Sequence, residues 1–224
     1  NWRVSSLDHL TLVSNSDAHS PQKLGREANV LAFKDEIDVT YTELFRIIQE
    51  GDKEKFLYTI EFYPEEGKYH SDGHRDCKVV MSPEETQKHQ GICPVCNKKV
   101  TVGVLNRVFE LSDRTKEEAK EAGKKRIPCK HIVPLPEILA DTFSCGVATK
   151  KVQTMYDHLI SSLGNEFFIL ESATFEDIES VSTKHIADAI FRVRSGNIVV
   201  RPGYDGEFGV VKVFEEGKHS EGIL

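Results

Sequence analysis

The sequence predicts an α/β region followed by a mainly helical one, with a small metal-stapled module between them. Three observations lead there. Strand-like apolar runs and helix signals alternate as far as Tyr63; three of the five cysteines crowd with histidines between Tyr69 and Lys99; and glycine-punctuated apolar stripes at helical period run from Pro136 to Gly196.

Leu10–Ser14 is apolar and β-branched and reads as a short buried strand. Ser20 followed by Pro21 is an N-cap with proline in the first turn, which predicts a helix through about Ala28. Asp17 and His19 would then lie at the carboxyl end of a strand just before a helix, where α/β folds build sites. Two residues apart, a carboxylate and an imidazole can bind one metal or adjacent metals. The competing reading is an Asx-turn aspartate beside a surface histidine. Thr40-x-x-Glu43 is a capping box for a helix with Leu44, Phe45, Ile47 and Ile48, stopped by Gly51. Phe56–Tyr63 alternates with Phe56, Tyr58, Ile60 and Phe62 on one face, as a half-buried strand does.

In Tyr69–Lys99, Cys93-Pro94-Val95-Cys96 is a CxxC knuckle and His74-Arg75-Asp76-Cys77 a second close pair, about sixteen residues upstream. Two such pairs match the way a tetrahedral zinc gathers four ligands from two short loops. Pro94 fixes the knuckle turn and Gly91 lets the chain bend into it. His74 is the expected fourth ligand because it repeats the two-residue gap, with His70 as its substitute. Buried free cysteines or a redox CxxC are the other readings. A closed site with three thiolates folds a segment and leaves no position open for catalysis. Ser82-Pro83-Glu84-Glu85 opens a short helix between the two halves, and Val100–Leu111 continues as extended chain or hairpin before a turn of helix.

Asp113–Lys130 is highly charged, with Thr115-x-x-Glu118 and Lys124-Lys125-Arg126. It reads as a solvated helix and linker, or as a phosphate-contacting arm. Pro136 opens a helix with Ile138, Leu139 and Phe143. A second, Thr149 to Leu163, carries the stripe Val152, Met155, Tyr156, Leu159, Ile160 and Leu163, a core face ended by Gly164. Thr174-x-x-Asp177 starts a short helix, and Ile186, Ala189, Ile190 and Val193 mark another, ended by Gly196. The loop Gly146–Lys151, with Lys150 and Lys151 at a helix start, is a candidate phosphate contact or a plain connection with solvated lysines. Asn197–Arg201 and Phe208–Phe214 read as strands around Pro202-Gly203-Tyr204-Asp205-Gly206, before a polar tail, Glu215–Leu224, expected to fray.

The 224 residues are 39% hydrophobic and 29% charged, with a formal net charge of −7. That composition predicts a soluble protein of one or two domains. No apolar run reaches the length of about eighteen residues that a membrane helix needs, and Asn1-Trp2-Arg3 opens no signal peptide. The odd cysteine count without a secretion signal favours a reducing cytoplasm. Net negative charge argues against a uniformly basic surface but leaves room for a local phosphate-binding face. An opening without Met that soon enters a strand suggests part of a longer chain.

Several stretches together carry a resemblance: Ser14-Asn15-Ser16-Asp17-Ala18-His19-Ser20-Pro21 with Leu24-Gly25-Arg26-Glu27-Ala28-Asn29, Tyr69-His70 and Asp72-Gly73-His74-Arg75 with the cysteines, and Gly203-Tyr204-Asp205-Gly206. In order along nearly the whole chain, they resemble the endonuclease Q family, DNA-repair nucleases of the PHP (polymerase and histidinol phosphatase) superfamily. The resemblance implies the end of a PHP β/α barrel over 1–62, a zinc-binding domain over 63–112, and a helical DNA-binding domain ending in a short hairpin over 113–224. It implies that Asp17 and His19 match the last metal-binding Asp-x-His of the barrel and serve as catalytic metal ligands, with zinc, manganese or magnesium as the catalytic ions beside a structural zinc. The implied activity is cleavage of the phosphodiester 5′ of uracil, hypoxanthine, xanthine or an abasic site, on DNA. Ser20 and Arg26, beside the motif, and Lys150 and Lys151 are the DNA-contact candidates. The earlier PHP motifs, beginning with His-x-His, are not in this sequence, so the chain alone is expected to be inactive and to need an N-terminal PHP segment. A sliding clamp as partner is left open, because Glu215–Leu224 holds no convincing clamp-binding peptide. The other readings are a non-catalytic zinc-containing nucleic-acid-binding module and a phosphoesterase acting on a small phosphate ester.

Overall fold

The computed structural model describes residues 1–214, so the tail Glu215–Leu224, read as frayed and searched for a clamp peptide, lies outside the described residues. The chain divides into two compact units: Asn1–His131 with Pro202–Gly209, and Ile132–Arg201 with the described residues from Val210.

The first unit is built on a three-stranded sheet. Strand β1 (Ala28–Leu31) runs antiparallel to β2 (Phe56–Glu61), with helix α1 (Tyr41–Glu50) between them in sequence. Thr40 caps α1 by accepting the Glu43 amide, and Gly51 ends it at φ 61°. The expected capping box is only half made, because the Glu43 carboxylate turns to Arg46 and Lys55 instead. Ile47 on α1 packs with Phe56 and Ile127 as the buried core beneath the sheet.

The metal module follows as the hairpin β3 (Asp72–His74) and β4 (Val79–Met81), then α2 (Pro83–Lys88). Ser82 and Glu85 satisfy each other's backbone amides in a full capping box. Helix α3 (Val104–Leu111) is a full helix where the sequence promised only a turn. Its N-terminus is held by buried Asp72, which accepts the Gly103 amide at 2.6 Å and the Asn106 side chain at 2.5 Å. The charged stretch then forms α4 (Lys116–Gly123), boxed by Thr115 and Glu118, and β5 (Cys129–His131), which pairs parallel to β2. This last strand is too short and polar to stand out in the sequence. Its amides pair because β2 presents a free edge.

The second unit is helical: α5 (Leu135–Thr142), α6 (Lys150–Leu163), α7 (Glu166–Glu171), α8 (Phe175–Val181) and α9 (Lys184–Arg194), with a hairpin of β6 (Val199–Arg201) and β7 (Val210–Lys212). Its core is a run of fully buried aliphatics: Leu135, Ile138, Leu139, Val152, Leu159, Ile169, Ile178, Ile186 and Ile190. Helix α7 escaped the sequence reading because it is short, and its carbonyl end is satisfied from elsewhere. The Arg194 guanidinium donates to the carbonyls of Ile169, Leu170 and Ala173 at 2.6, 2.8 and 2.7 Å.

Two expectations fail near the N-terminus. Leu10–Ser14 is irregular chain, with Leu10 and Val13 exposed. Among the described residues its ladder-like pairing is with a side chain: Asn29 Oδ1 accepts the Ser14 amide at 2.9 Å and Asn29 Nδ2 donates to the Ser14 carbonyl at 2.8 Å. Ser20-Pro21 opens only a single 3-10 turn, Pro21–Lys23, and Ser20 makes no side-chain cap. Gly25, at φ 75°, bends the chain and Ala28–Leu31 joins the sheet against Phe56–Ile60. Pairing with a strand that already has a core overrides a local helix signal.

Candidate functional site: a four-ligand centre and an aspartate–histidine pair

The four residues expected to hold zinc come together. Ligand atoms of His74, Cys77, Cys93 and Cys96 all lie within 4.8 Å of one another, with Cys93 buried and the rest half-buried. Cys96 Sγ stands 3.8 Å from His74 Nδ1. A tetrahedron of thiolates at about 2.3 Å from zinc has edges of about 3.8 Å, so the set is compatible with a zinc ion. His70, held as the substitute, is not part of the cluster.

Local backbone explains the fit. His74 ends β3, a 3-10 turn spans Arg75–Cys77, and Lys78 takes the left-handed conformation at φ 54° to start β4. On the other side, the backbone N–H groups of Cys96 and Val95 point at the Cys93 sulfur. Burial works against the Cys93 thiolate, but those amides and the Cys96 and Cys77 thiols outweigh it and lower its pKa. The Cys77 thiol is pushed up to about 12, first by its hydrogen bond with Cys96 and then by burial. A divalent cation bound there would deprotonate all three thiols. The apolar core of the module is Met81, Cys93 and Val100, with Val79 and the other two cysteines packed against it. So small a core cannot hold a fold alone, and a bound metal would supply the missing stabilisation.

The loop Pro202–Gly209, part of the same unit, is seated over this centre. Asp205 Oδ2 accepts the amide of Arg75, between two of the ligands, at 2.7 Å, and its other oxygen accepts the Thr101 hydroxyl. These bonds, the Arg75 amide first, hold the Asp205 carboxyl below the usual range. Asp205 and Gly206 both have positive φ, at 45° and 86°, as a tight hairpin turn of the I′ kind requires. Gly203 is wedged: a Cβ there would lie 2.4 Å from the Gly67 carbonyl oxygen. The sequence showed Gly203–Gly206 as a turn motif and gave no sign of what it touches.

Asp17 and His19 lie apart from that cluster in irregular chain, both exposed, rather than between a strand and a helix. Asp17 sits in the left-handed region at φ 47°. His19 Nδ1 lies 2.8 Å from the Asp17 carbonyl oxygen. Against a carbonyl oxygen Nδ1 is the donor, so Nε2 is the nitrogen that could take a metal. Among the described residues, no third histidine, cysteine or carboxylate joins this pair in a cluster able to hold a metal.

The other candidates are scattered. Ser20 is half-buried beside the motif. Arg26 is engaged already, 3.0 Å from Glu66 and 4.5 Å over the Phe62 ring. Lys150 and Lys151 are exposed at the start of α6, whose N-cap Thr149 makes no side-chain bond; the Lys151 ammonium lies 4.2 Å over Phe143. In the basic run, Arg126 pairs with Asp8 at 3.1 Å and Lys124 with Glu121 at 2.6 Å, which leaves little of it as a phosphate arm. Among the described residues, no helix is long and apolar enough to cross a membrane.

Fold and site together define a mixed α/β chain with a small Cys3His centre suited to a structural metal. Its fold is that of endonuclease Q. The crystal structure of the lesion-specific endonuclease PfuEndoQ from Pyrococcus furiosus matches with a TM-score of 0.81 and 28% identity, over 96% of this chain and 52% of that one. A structure of endonuclease Q in complex with a 27-mer duplex substrate, with an abasic lesion at the active site, matches with a TM-score of 0.74 over the same shares. Residues 134–197 match the family model described as the MJ0043 C-terminal domain. The uncharacterized protein MJ0043 of Methanocaldococcus jannaschii is 34% identical over 215 residues, 93% of this chain and 26% of that protein. YqxK of Bacillus subtilis is 30% identical over 210 residues, again 93% of this chain, and 48% of its own length. The chain thus spans about half or less of each protein it matches.

Proposed function

We propose that this chain serves a DNA-repair endonuclease that cuts 5′ of deaminated bases (uracil, hypoxanthine or xanthine) or abasic sites by metal-assisted hydrolysis. The observation that carries this is the match along 96% of the chain to a lesion-specific endonuclease. In this reading the chain comprises the end of a PHP domain (1–62), a zinc-binding domain (63–112) and a helical DNA-binding domain (113–224). That division cuts across the compact units, since residues 113–131 pack with the first.

Asp17 and His19 are assigned as ligands of the catalytic divalent ion, zinc, manganese or magnesium. When bound, such an ion would supply a water of lowered pKa and positive charge against the phosphodiester. What the chain's own residues supply is orientation: the Asp17 carbonyl holds the His19 ring so that Nε2 is the free nitrogen. His74, Cys77, Cys93 and Cys96 are assigned to a structural zinc. Ser20, Lys150 and Lys151 are assigned to the DNA backbone; Arg26 joins them only if its pair with Glu66 opens. Deaminated bases pair weakly, so extruding them from the duplex costs less than extruding a normal base. A cytoplasmic setting agrees with the free thiols. Association with a sliding clamp stays outside this reading.

A second reading has one observation in its favour. Asp17 and His19 find no third ligand among the described residues, as would hold for a zinc-containing nucleic-acid-binding module without catalysis. Nicking assays separate the two. The nuclease assembled around this chain should cut a uracil, hypoxanthine or abasic duplex with a divalent metal, and Asp17→Ala should abolish cutting while DNA binding largely survives. Cutting at the unaltered rate by the variant would remove Asp17 from the mechanism. DNA binding without any cutting would favour the module.

A further inference from the structure

Two large aromatic rings stand in solvent beside the metal module and flank one cation. Phe208 is 73% exposed and Tyr69 48% exposed. The Lys68 ammonium lies 5.6 Å from the Phe208 ring centre and 5.7 Å from that of Tyr69. One exposed ring alone says little, but two that share a cation make a small contiguous patch, and it is patches that mark binding surfaces.

The backbone beneath them is fixed rather than loose. Gly203 N bonds the Glu65 carbonyl at 2.8 Å, Gly206 N that of Lys68 at 2.9 Å, and Gly209 N that of Glu66 at 3.0 Å. Asp205 adds its bond to Arg75, so the rings are presented on a clamped loop and not on a free tip. A Cβ at Gly206 would lie 3.6 Å from Arg75 Nη1 and 3.8 Å from the Tyr69 hydroxyl, which puts a second cation on the same surface. Of the carboxylates around the rings, Glu66 pairs with Arg26, Asp205 bonds the Arg75 backbone amide and the Thr101 hydroxyl, and Glu207 bonds the Tyr204 phenol.

We infer that Tyr69 and Phe208, with Lys68 and Arg75, form a stacking surface for an unstacked base of a DNA strand and its adjoining phosphates. Rings take a base face and the two cations take the backbone, the combination by which proteins grip single-stranded nucleic acid. This rests on the nucleic-acid reading above and adds to it a contact surface on the metal module. A peptide or second copy of the chain would use the rings but has no need of the paired cations.

The test is fluorescence anisotropy of the whole chain with a labelled abasic duplex and a labelled single strand. Phe208→Ala and Tyr69→Ala should each weaken binding about ten-fold, the usual loss of one base stack. Lys68→Ala should lower the slope of log K against log salt by about one. Phe208→Trp should restore affinity, and its new emission should be quenched by DNA. If the chain binds DNA and neither ring variant weakens it, the stacking surface is wrong and the DNA reading stands. If the unaltered chain binds no DNA, both fall. Should the alanine variants fail to fold, Phe208→Trp decides: emission unquenched at saturating DNA overturns the proposal.

Discussion

Asp205 holds the amide of Arg75 at 2.7 Å across 130 residues of sequence, and Arg75 lies between His74 and Cys77. A late hairpin turn therefore fixes the backbone of half the four-ligand centre. Residues that orient ligands without touching the metal commonly change affinity about 10–100-fold when lost. Asp205→Ala should weaken zinc affinity by that order, read by competition with a chelator. Hydrogen exchange at His74–Cys77 and at Pro202–Gly209 should rise together. Exchange rising at only one of the two would break the link.

Cys93 is fully buried within the small core of the module, and its sulfur receives two backbone amides. Cys93→Ser should release one tightly held zinc per chain and raise exchange over residues 72–101, measured by metal analysis and mass spectrometry. A variant that keeps its zinc would show that the ligand set is misassigned.

Acid should loosen the first unit before the second. Asp8 is lowered to about 2, first by its hydrogen bond with Arg114, and Glu43 to about 2, first by Arg46. Both folded pKa values lie below the unfolded ones, near 4. The stabilisation they give is therefore complete above about pH 4 and is lost as pH falls through about 2. The urea midpoint of the first unit should drop across that window, and Arg114→Met should flatten the drop.

Leu159 and Ile190 are fully buried among the aliphatics of the helical unit. Leu159→Ala or Ile190→Ala should destabilise that unit by about 2–5 kcal/mol, seen as a lower denaturant midpoint, with zinc binding unchanged. Gly203→Ala should act the other way round, disturbing the metal module, because its Cβ meets backbone atoms that cannot move aside.

The sequence by itself determined the elements whose cause is local. Ser82 with Glu85, Thr115 with Glu118 and Thr174 with Asp177 start their helices where the pattern says, because a cap needs only residues three apart. The α6 stripe buries Val152 and Leu159 for the same kind of reason. The clustering of His74, Cys77, Cys93 and Cys96 was legible from two short loops, since that is the spacing a tetrahedral ion would demand.

Tertiary structure decided the rest. Leu10–Ser14 looked like a strand, but Asn29 gives it one side-chain partner and the sheet forms from Ala28–Leu31 instead. The Ser20-Pro21 helix signal lost to that same pairing. Asp17 and His19 could be picked out as a pair, but their irregular, exposed setting could not. Nor could the seat of Asp205 over the centre, or the placing of Tyr69 beside Phe208. Those depend on long-range pairing, and a local pattern carries no term for a partner 130 residues away.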